Sequence, residues 1–331
     1  MRGYPDHGVS VRCLVSLFLM LACTTVTKVD QDPVSAEAAQ DTSAQDLSDD
    51  PAPSEGSELD LDDPEVNAQA YARVRGSLDP DEHVYYYWSG YIYSQQDVDP
   101  YAPGQSDWGA PILRFDGFNV ARLRPSGDGY FDVLTREVSL YRNMQGQIID
   151  CWSNAVLEPD ESDYVRVLHV QNDPVNFTVG SLDYVELGET LAFSVEVPLT
   201  YVSPLPVDEY PQYSASNTYQ STELFNFYTL RADLEDASQL SVPAHISWVR
   251  VGQYLPWMKV GQLPGKLVYH AQGYKVMDGW EGLPEDLREW VQVNAPEFQE
   301  APGSVTTGTN MTSWRYFDWL MSEGKYDSTC G

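Results

Sequence analysis

Side chains alternate from one face of a β-strand to the other, and that rule places several polar groups of this sequence on apolar faces. In YVRVLHVQ (164–171), His169 falls with Val165 and Val167. In FDVLTREVSLY (131–141), Arg136 falls with Leu134, Val138 and Leu140, while Glu137 takes the other face. In HISWVRV (245–251), Arg250 shares a face with Ile246 and Trp248. A guanidinium on such a face needs a buried acceptor or a ligand carboxylate, because an unpaired buried charge costs several kcal/mol. Candidate acceptors are Glu137, Asp150 and Asp173. An imidazole in the same setting is a candidate general base, with Asp173 or an arginine stabilising charge. A purely structural ion-pair network satisfies the same pattern.

Two stretches concentrate this chemistry. HVQND (169–173) is the densest polar cluster in an apolar frame, and Pro174 after it also reads as an Asn-Asp-Pro turn. In GKLVYHAQG (265–273), Lys266 and His270 project the same way, into a polar lumen or into water. The 22 Tyr and 9 Trp favour a lumen, since each buried hydroxyl or indole N–H needs a partner. His169, Asp173 and His270 are thus the catalytic candidates, and Arg136, Arg250, Trp152, Trp257 and Lys266 the ligand-contact candidates. No Gly-x-Ser-x-Gly elbow, phosphate loop, dinucleotide fingerprint or His-Glu-x-x-His is present. The five histidines are not spaced as metal ligands. No cofactor is implied, and a metal would have to use His169, His245 or His270 with carboxylates, which the spacing does not support.

The elements that must position these groups are mostly strands. Asp63-Pro64-Glu65 reads as a helix start, with an N-cap acid, Pro at the first turn and a second acid at the positive end of the dipole, and the helix ends at Gly76. From there to about residue 280, runs of Tyr, Val, Phe, Thr and Trp alternate with Gly, Pro, Asn and Asp. They include 84–93, 110–125 with a break at Asp116-Gly117, 129–142, 148–153, 164–171, 190–202, 222–233, 244–252 and 265–273. PEDLREWVQV (284–293) and TSWRYFDWLMSEG (312–324) close the chain as helices, the second capped by Thr312 or Ser313 and stopped by Gly324. Short strands without interleaved helices predict a mainly β fold: one antiparallel barrel-like or strongly curved sheet, with an N-terminal helix and two C-terminal helices.

Charge and leader narrow the setting. With 50 Asp+Glu against 19 Lys+Arg, a net charge of −31 opposes binding to nucleic acid. Arg2 and Arg12 precede an apolar run, Cys13–Ala22, of signal-peptide length and too short to span a bilayer. The run ends at Met20-Leu21-Ala22-Cys23, which resembles a bacterial lipoprotein cleavage box. Residues 1–22 are then a signal peptide, Cys23 the acylated residue, and the acidic, apolar-poor segment 23–65 a disordered tether to a single domain over 66–331. Membrane contact is expected through the lipid alone, at an outer membrane. An ordinary secretory signal is the plainer alternative. Cys151 and Cys330 remain, and an oxidising envelope allows them to pair if the fold brings them together.

Several stretches together resemble the domain-of-unknown-function family 1838: YARVRGSLD (71–79), FDGFNVARLRP (115–125), TREVSLYRNMQGQIIDCWSN (135–154), HVQNDPVNF (169–177), SWVRVGQYLPWMKVGQLPGKLVYHAQGYK (247–275), LPEDLREW (283–290) and TSWRYF (312–317). Ala155 stands where the family pattern has Pro. The resemblance makes the Pro256-Trp257-Met258 turn and the Gly261/Gly265 pair part of a shared framework and carries no activity. Three functions follow as expectations: a tethered protein binding a small apolar or aromatic ligand, with a carboxylate facing Arg136 or Arg250; an envelope hydrolase, lyase or isomerase using His169 or His270; or a partner-docking lipoprotein.

Overall fold

A computed structural model describes residues 59–96, 109–158, 163–305 and 311–330. The leader, Cys23 and the tether up to residue 58 lie outside the described residues. Helix α1 (Pro64–Arg75) opens the fold as its sequence requires: the Asp63 carboxylate accepts the N–H groups of Glu65 and Val66, Pro64 fills the first turn and Gly76 caps the end. The acidic segment expected to run free to residue 65 is packed sooner, since Leu61 is already in the core.

Nine strands follow in one antiparallel sheet: β1 (Val84–Gln96), β2 (Leu113–Gly127), β3 (Tyr130–Arg142), β6 (Val170–Val179), β7 (Tyr184–Leu187), β8 (Thr190–Val202), β9 (Thr218–Leu230), β10 (His245–Gly252) and β11 (Gly265–Val276). Their order is β6-β3-β2-β1-β11-β10-β9-β8-β7, so the chain builds one wing, crosses to the other and closes the middle with β11 against β1. The sheet curls into a half-barrel, the mainly β architecture that the strand pattern predicts. A two-stranded ribbon, β4 (Cys151–Ser153) and β5 (Tyr164–Arg166), stands apart from it. Helix α2 (Arg231–Glu235) follows β9, and α3 (Glu285–Asn294) and α4 (Ser313–Ser322) are the two helices near the C-terminus, α4 capped by Thr312.

Both faces of the sheet are covered. The inner face packs Tyr86, Trp88, Phe115, Leu123, Phe193 and Trp248 against Ala68, Tyr71 and Ala72 of α1 and Trp314 and Phe317 of α4. The outer face buries Phe118, Val120, Val138 and Leu140 under Leu287 and Val291 of α3. At the centre, Trp88 is paired with Gly117 on one side and Gly273 on the other. A Cβ at Gly117 would lie 2.1 Å from the Val138 carbonyl oxygen, and one at Gly273 2.2 Å from that of Tyr87. Only glycine lets the three backbones approach so closely where the sheet bends.

Three of the differences from the sequence expectations fall in strands β2, β5 and β6. Strand β2 runs unbroken through Asp116-Gly117, because Gly117 is a packing site beneath Trp88 and not a turn. The expected strand 164–171 is split: Val167, Leu168 and His169 leave the ladder between β5 and β6. HVQNDP is not a turn either, since β6 continues through it with a bulge opposite Thr135 and Glu137, and the Asp173-Pro174 bond is cis.

Buried cations hold the helix ends. Lys275 donates to the carbonyls of Arg73 at 2.7 Å and Gly76 at 2.6 Å, closing α1. Arg73 donates to the carbonyls of Asp233, Leu234, Asp236 and Gln239, closing α2. The C-terminal tail is tied down by a disulfide: Cys151 and Cys330 are bonded with their Cα atoms 6.0 Å apart, 179 residues apart in sequence. Thr329 bridges to Val165, and the Tyr326 hydroxyl donates to the Arg166 carbonyl beside it. A closure of that length restricts the unfolded chain strongly, so Cys330→Ser is expected to destabilise by about 2–4 kcal/mol. Urea unfolding of the oxidised protein and of the variant measures this; equal midpoints would mean that the bridge contributes nothing.

Candidate functional site

On the inner face, alternation brings a belt of polar side chains into register. Arg250 on β10 pairs with Glu223 on β9 and Tyr269 on β11. Across the concavity Glu137 on β3 pairs with Asn119 on β2 and Asn172 on β6. Arg75, at the last turn of α1, reaches the belt and donates to the Asn119 side-chain oxygen at 2.5 Å, while Asn119 donates to Thr135 at 3.0 Å. The belt thus holds two guanidinium groups and two carboxylates in an otherwise aromatic surface.

Arg250 is incompletely matched. One Nη donates to the Tyr219 hydroxyl at 2.7 Å, Nε lies 3.4 Å from Glu223, and the guanidinium sits 5.0 Å from the Tyr269 ring centre. Its other nitrogen, Nη1, is buried and has no protein acceptor. Burial pulls its pKa down, but Tyr219, Tyr269 and Glu223 together push it above the usual arginine value, so the charge is permanent. The side chain runs along its own strand over Gly252, where a Cβ would stand 3.2 Å from Nη1 and 3.0 Å from the Ser221 hydroxyl oxygen. That hydroxyl is also buried without a partner. Two buried, unsatisfied polar groups therefore flank Gly252, where no side chain stands between them.

The space is a cleft of about 480 Å³ at the end of the sheet, within the range of small-ligand sites. Ser221 and Gly252 line it, with Leu199, Leu263, Gln253 and Lys266 among its walls. The segment 261–266, glycines and proline included, forms one side of it.

The carboxylates behave differently from one another. Glu223 contacts Arg250, and burial raises its pKa against that attraction. Glu137 receives a hydrogen bond from Asn172 at 3.3 Å. Burial, and then the Glu223 charge, push its pKa up to about 7, against Asn172, Arg250 and Arg75.

The residues singled out from sequence are dispersed. Lys266 lines the cleft, and Arg250 lies behind its wall, against Gly252. Arg136 lies on the outer face, where it pairs with Asp173 at 2.7 Å and donates to the carbonyls of Glu297 and Glu300, so its inferred acceptor is Asp173. Trp152 and Trp257 are buried and pack edge to face with centroids 5.8 Å apart. His169 is buried against Tyr141 and Trp290. Its Nδ1 accepts the Tyr141 N–H at 3.1 Å, so the neutral ring carries its proton on Nε2 and has no free lone pair. Burial, with the Arg142 charge, lowers its pKa to about 4. His270 and Lys266 project the same way, as alternation requires, and His270 faces water. Among the described residues no group of three or more His, Cys, Asp or Glu is placed to hold a metal. No helix among them is long and apolar enough to cross a membrane.

Glu223, Arg75, Tyr219, Ser221 and Gly252 escaped the sequence reading. The signal for three of them was available: in TYQSTELFNF (218–227), Tyr219, Ser221 and Glu223 alternate in phase with Phe225 and Phe227.

A family model for a protein of unknown function, DUF1838, matches residues 81–321. The chain belongs to this family. No curated protein matches it. The DUF1838 match spans β1 to α4 and so includes every strand of the belt and the whole cleft wall.

The raised Glu137 pKa fixes a pH dependence. Its ordinary value is 4.5 and its folded value about 7, so the native state holds an extra proton between those limits. Stability from this group is complete below about pH 4.5 and is lost as pH rises through 7. Glu137→Gln is therefore expected to be more stable than the parent at pH 8 by about 1–2 kcal/mol, with the difference shrinking at pH 5. Urea titrations of both proteins at the two pH values decide it; an equal difference at both would remove Glu137 as the titrating group.

Proposed function

We propose that the protein binds a small, largely apolar or aromatic organic acid at the end of the half-barrel, with its carboxylate on Arg250 and Ser221 and its body in the cleft. The observation that carries this reading is the convergence of the unpartnered Arg250 Nη1 and Ser221 hydroxyl over Gly252 at the edge of the 480 Å³ cleft. A buried guanidinium with a free N–H is matched best by a carboxylate, whose two oxygens accept charge-assisted hydrogen bonds. Leu199, Leu263 and the adjoining prolines offer apolar contact, and Lys266 adds a second positive charge at the wall.

The site belongs, in this reading, to an exported, lipid-anchored protein acylated at Cys23. The Cys13–Ala22 run and the box that ends at Cys23 support export. So does the Cys151–Cys330 bridge, because structural disulfides persist in oxidising compartments. An enzyme with His169 or His270 as general base finds less support, since the first ring has no free lone pair and the second faces water.

Calorimetry of the purified full-length protein with benzoate, phenylacetate, cinnamate and octanoate tests the proposal. At least one should bind with a dissociation constant below about 1 mM, an affinity of roughly 4 kcal/mol. Gly252→Val should abolish that binding by filling the contact point while the aromatic core remains intact. Failure of all four to bind, with no organic acid released from the purified protein on denaturation, would overturn it.

A further inference from the structure

The polar belt contains a charge balance that an anion must disturb. Two buried guanidinium groups, Arg75 from α1 and Arg250 from β10, face two carboxylates, Glu137 from β3 and Glu223 from β9. With both acids ionised the cluster is neutral. Around it stand the uncharged Asn172 from β6, Asn119 from β2 and the hydroxyls of Tyr141, Tyr219 and Tyr269. Beside Arg75, outside the belt, lies the buried Lys275 of β11, whose pKa burial first, and then the Arg75 and Arg73 charges, lower to about 7 and which donates to the carbonyls that end α1. Glu223 has Arg250 in contact, whereas Glu137 is held through an amide. An incoming carboxylate on Arg250 adds a negative charge to a poorly solvated site and competes with both acids for the same guanidinium.

We infer that the site takes up its carboxylate ligand together with one proton, which resides on Glu137, so that the cluster is neutral both empty and filled. This rests on the organic-acid reading of the cleft. No bond other than O–H is made: a solvent proton joins a Glu137 carboxylate oxygen as the anion docks, and leaves when it departs. Glu137 is the acceptor because it alone of the two acids has no guanidinium in contact, and its already raised proton affinity needs only a small further push. Arg75 keeps Nη1 unpartnered in the same belt, which holds positive potential beside the newly neutral acid.

The measurement is calorimetric titration of the full-length protein at pH 8 with the tightest of the four carboxylates, in phosphate and in Tris, whose ionisation heats differ widely. The matching primary amide, neutral and nearly isosteric, is the control ligand. The expected result is a buffer-dependent heat that corresponds to uptake approaching one proton per carboxylate, and none for the amide. Carboxylate affinity should fall by up to about tenfold for each pH unit above 7, and the fall should be absent in Glu137→Gln. If that variant does not fold, the wild-type buffer comparison decides alone. Carboxylate binding with the same heat in both buffers would overturn the proton linkage and leave the organic-acid reading standing. Failure of all four carboxylates to bind would overturn both.

Discussion

A guanidinium held on the inner face of a β-sheet has to be matched from several directions at once, and Arg250 shows how much structure that demands. Strand β9 must be in register to offer Glu223 and Tyr219, and β11 must set Tyr269 beneath the charge. The residue two places along its own strand must be glycine. Unpaired, the ion would destabilise the fold by several kcal/mol. The protein gives Nη2 and Nε a partner each and leaves Nη1 buried without one, behind Gly252 at the cleft wall. The curl of the sheet serves the same end, since it brings β3 with Glu137 across from β9 with Glu223 so that the two wings act on each other electrostatically.

The architecture could be read from the sequence because it depends on local rules. Asp63-Pro64 and Thr312 cap helices wherever they stand before a suitable run, and alternation in HISWVRV placed Arg250 inward before any partner was known. What could not be read depends on register between distant strands. Asp116-Gly117 looks like a turn, and only the pairing of Gly117 with Trp88 makes it the middle of a strand. His169 falls on the apolar side as alternation predicts, yet the hydrogen bond from the Tyr141 backbone, which fixes its tautomer, comes from a strand 28 residues away in sequence. The same holds for Cys151 and Cys330, whose separation is set by the whole intervening fold. Alternation puts Arg136 on an apolar face, but cannot say that this face is the outer one, because both faces of β3 carry buried apolar residues.

The opening of the half-barrel is shaped by the segment between β10 and β11. Its short turn at Pro256–Met258 is anchored by Asn154, which donates to the Met258 carbonyl and accepts the Asp163 N–H. The turn is therefore framework, while the following residues, 261–266, form the cleft wall. One loop is thus divided, the first half packing against the β4–β5 ribbon and the second bounding the cleft.

Among the described residues five cations, Arg73, Arg75, Arg142, Arg250 and Lys275, are buried, in a chain whose acids outnumber its bases by 31. Drawing them inside leaves the exterior more one-sidedly acidic than the composition suggests. Such a body carries a dense counter-ion atmosphere, and its field repels any approaching anion over roughly the Debye length, about 8 Å at physiological ionic strength. The positive charges of the site act only at close range, behind that barrier. An anion would approach such a body most slowly at low salt and faster as salt collapses the field, the reverse of the usual behaviour toward a cationic surface.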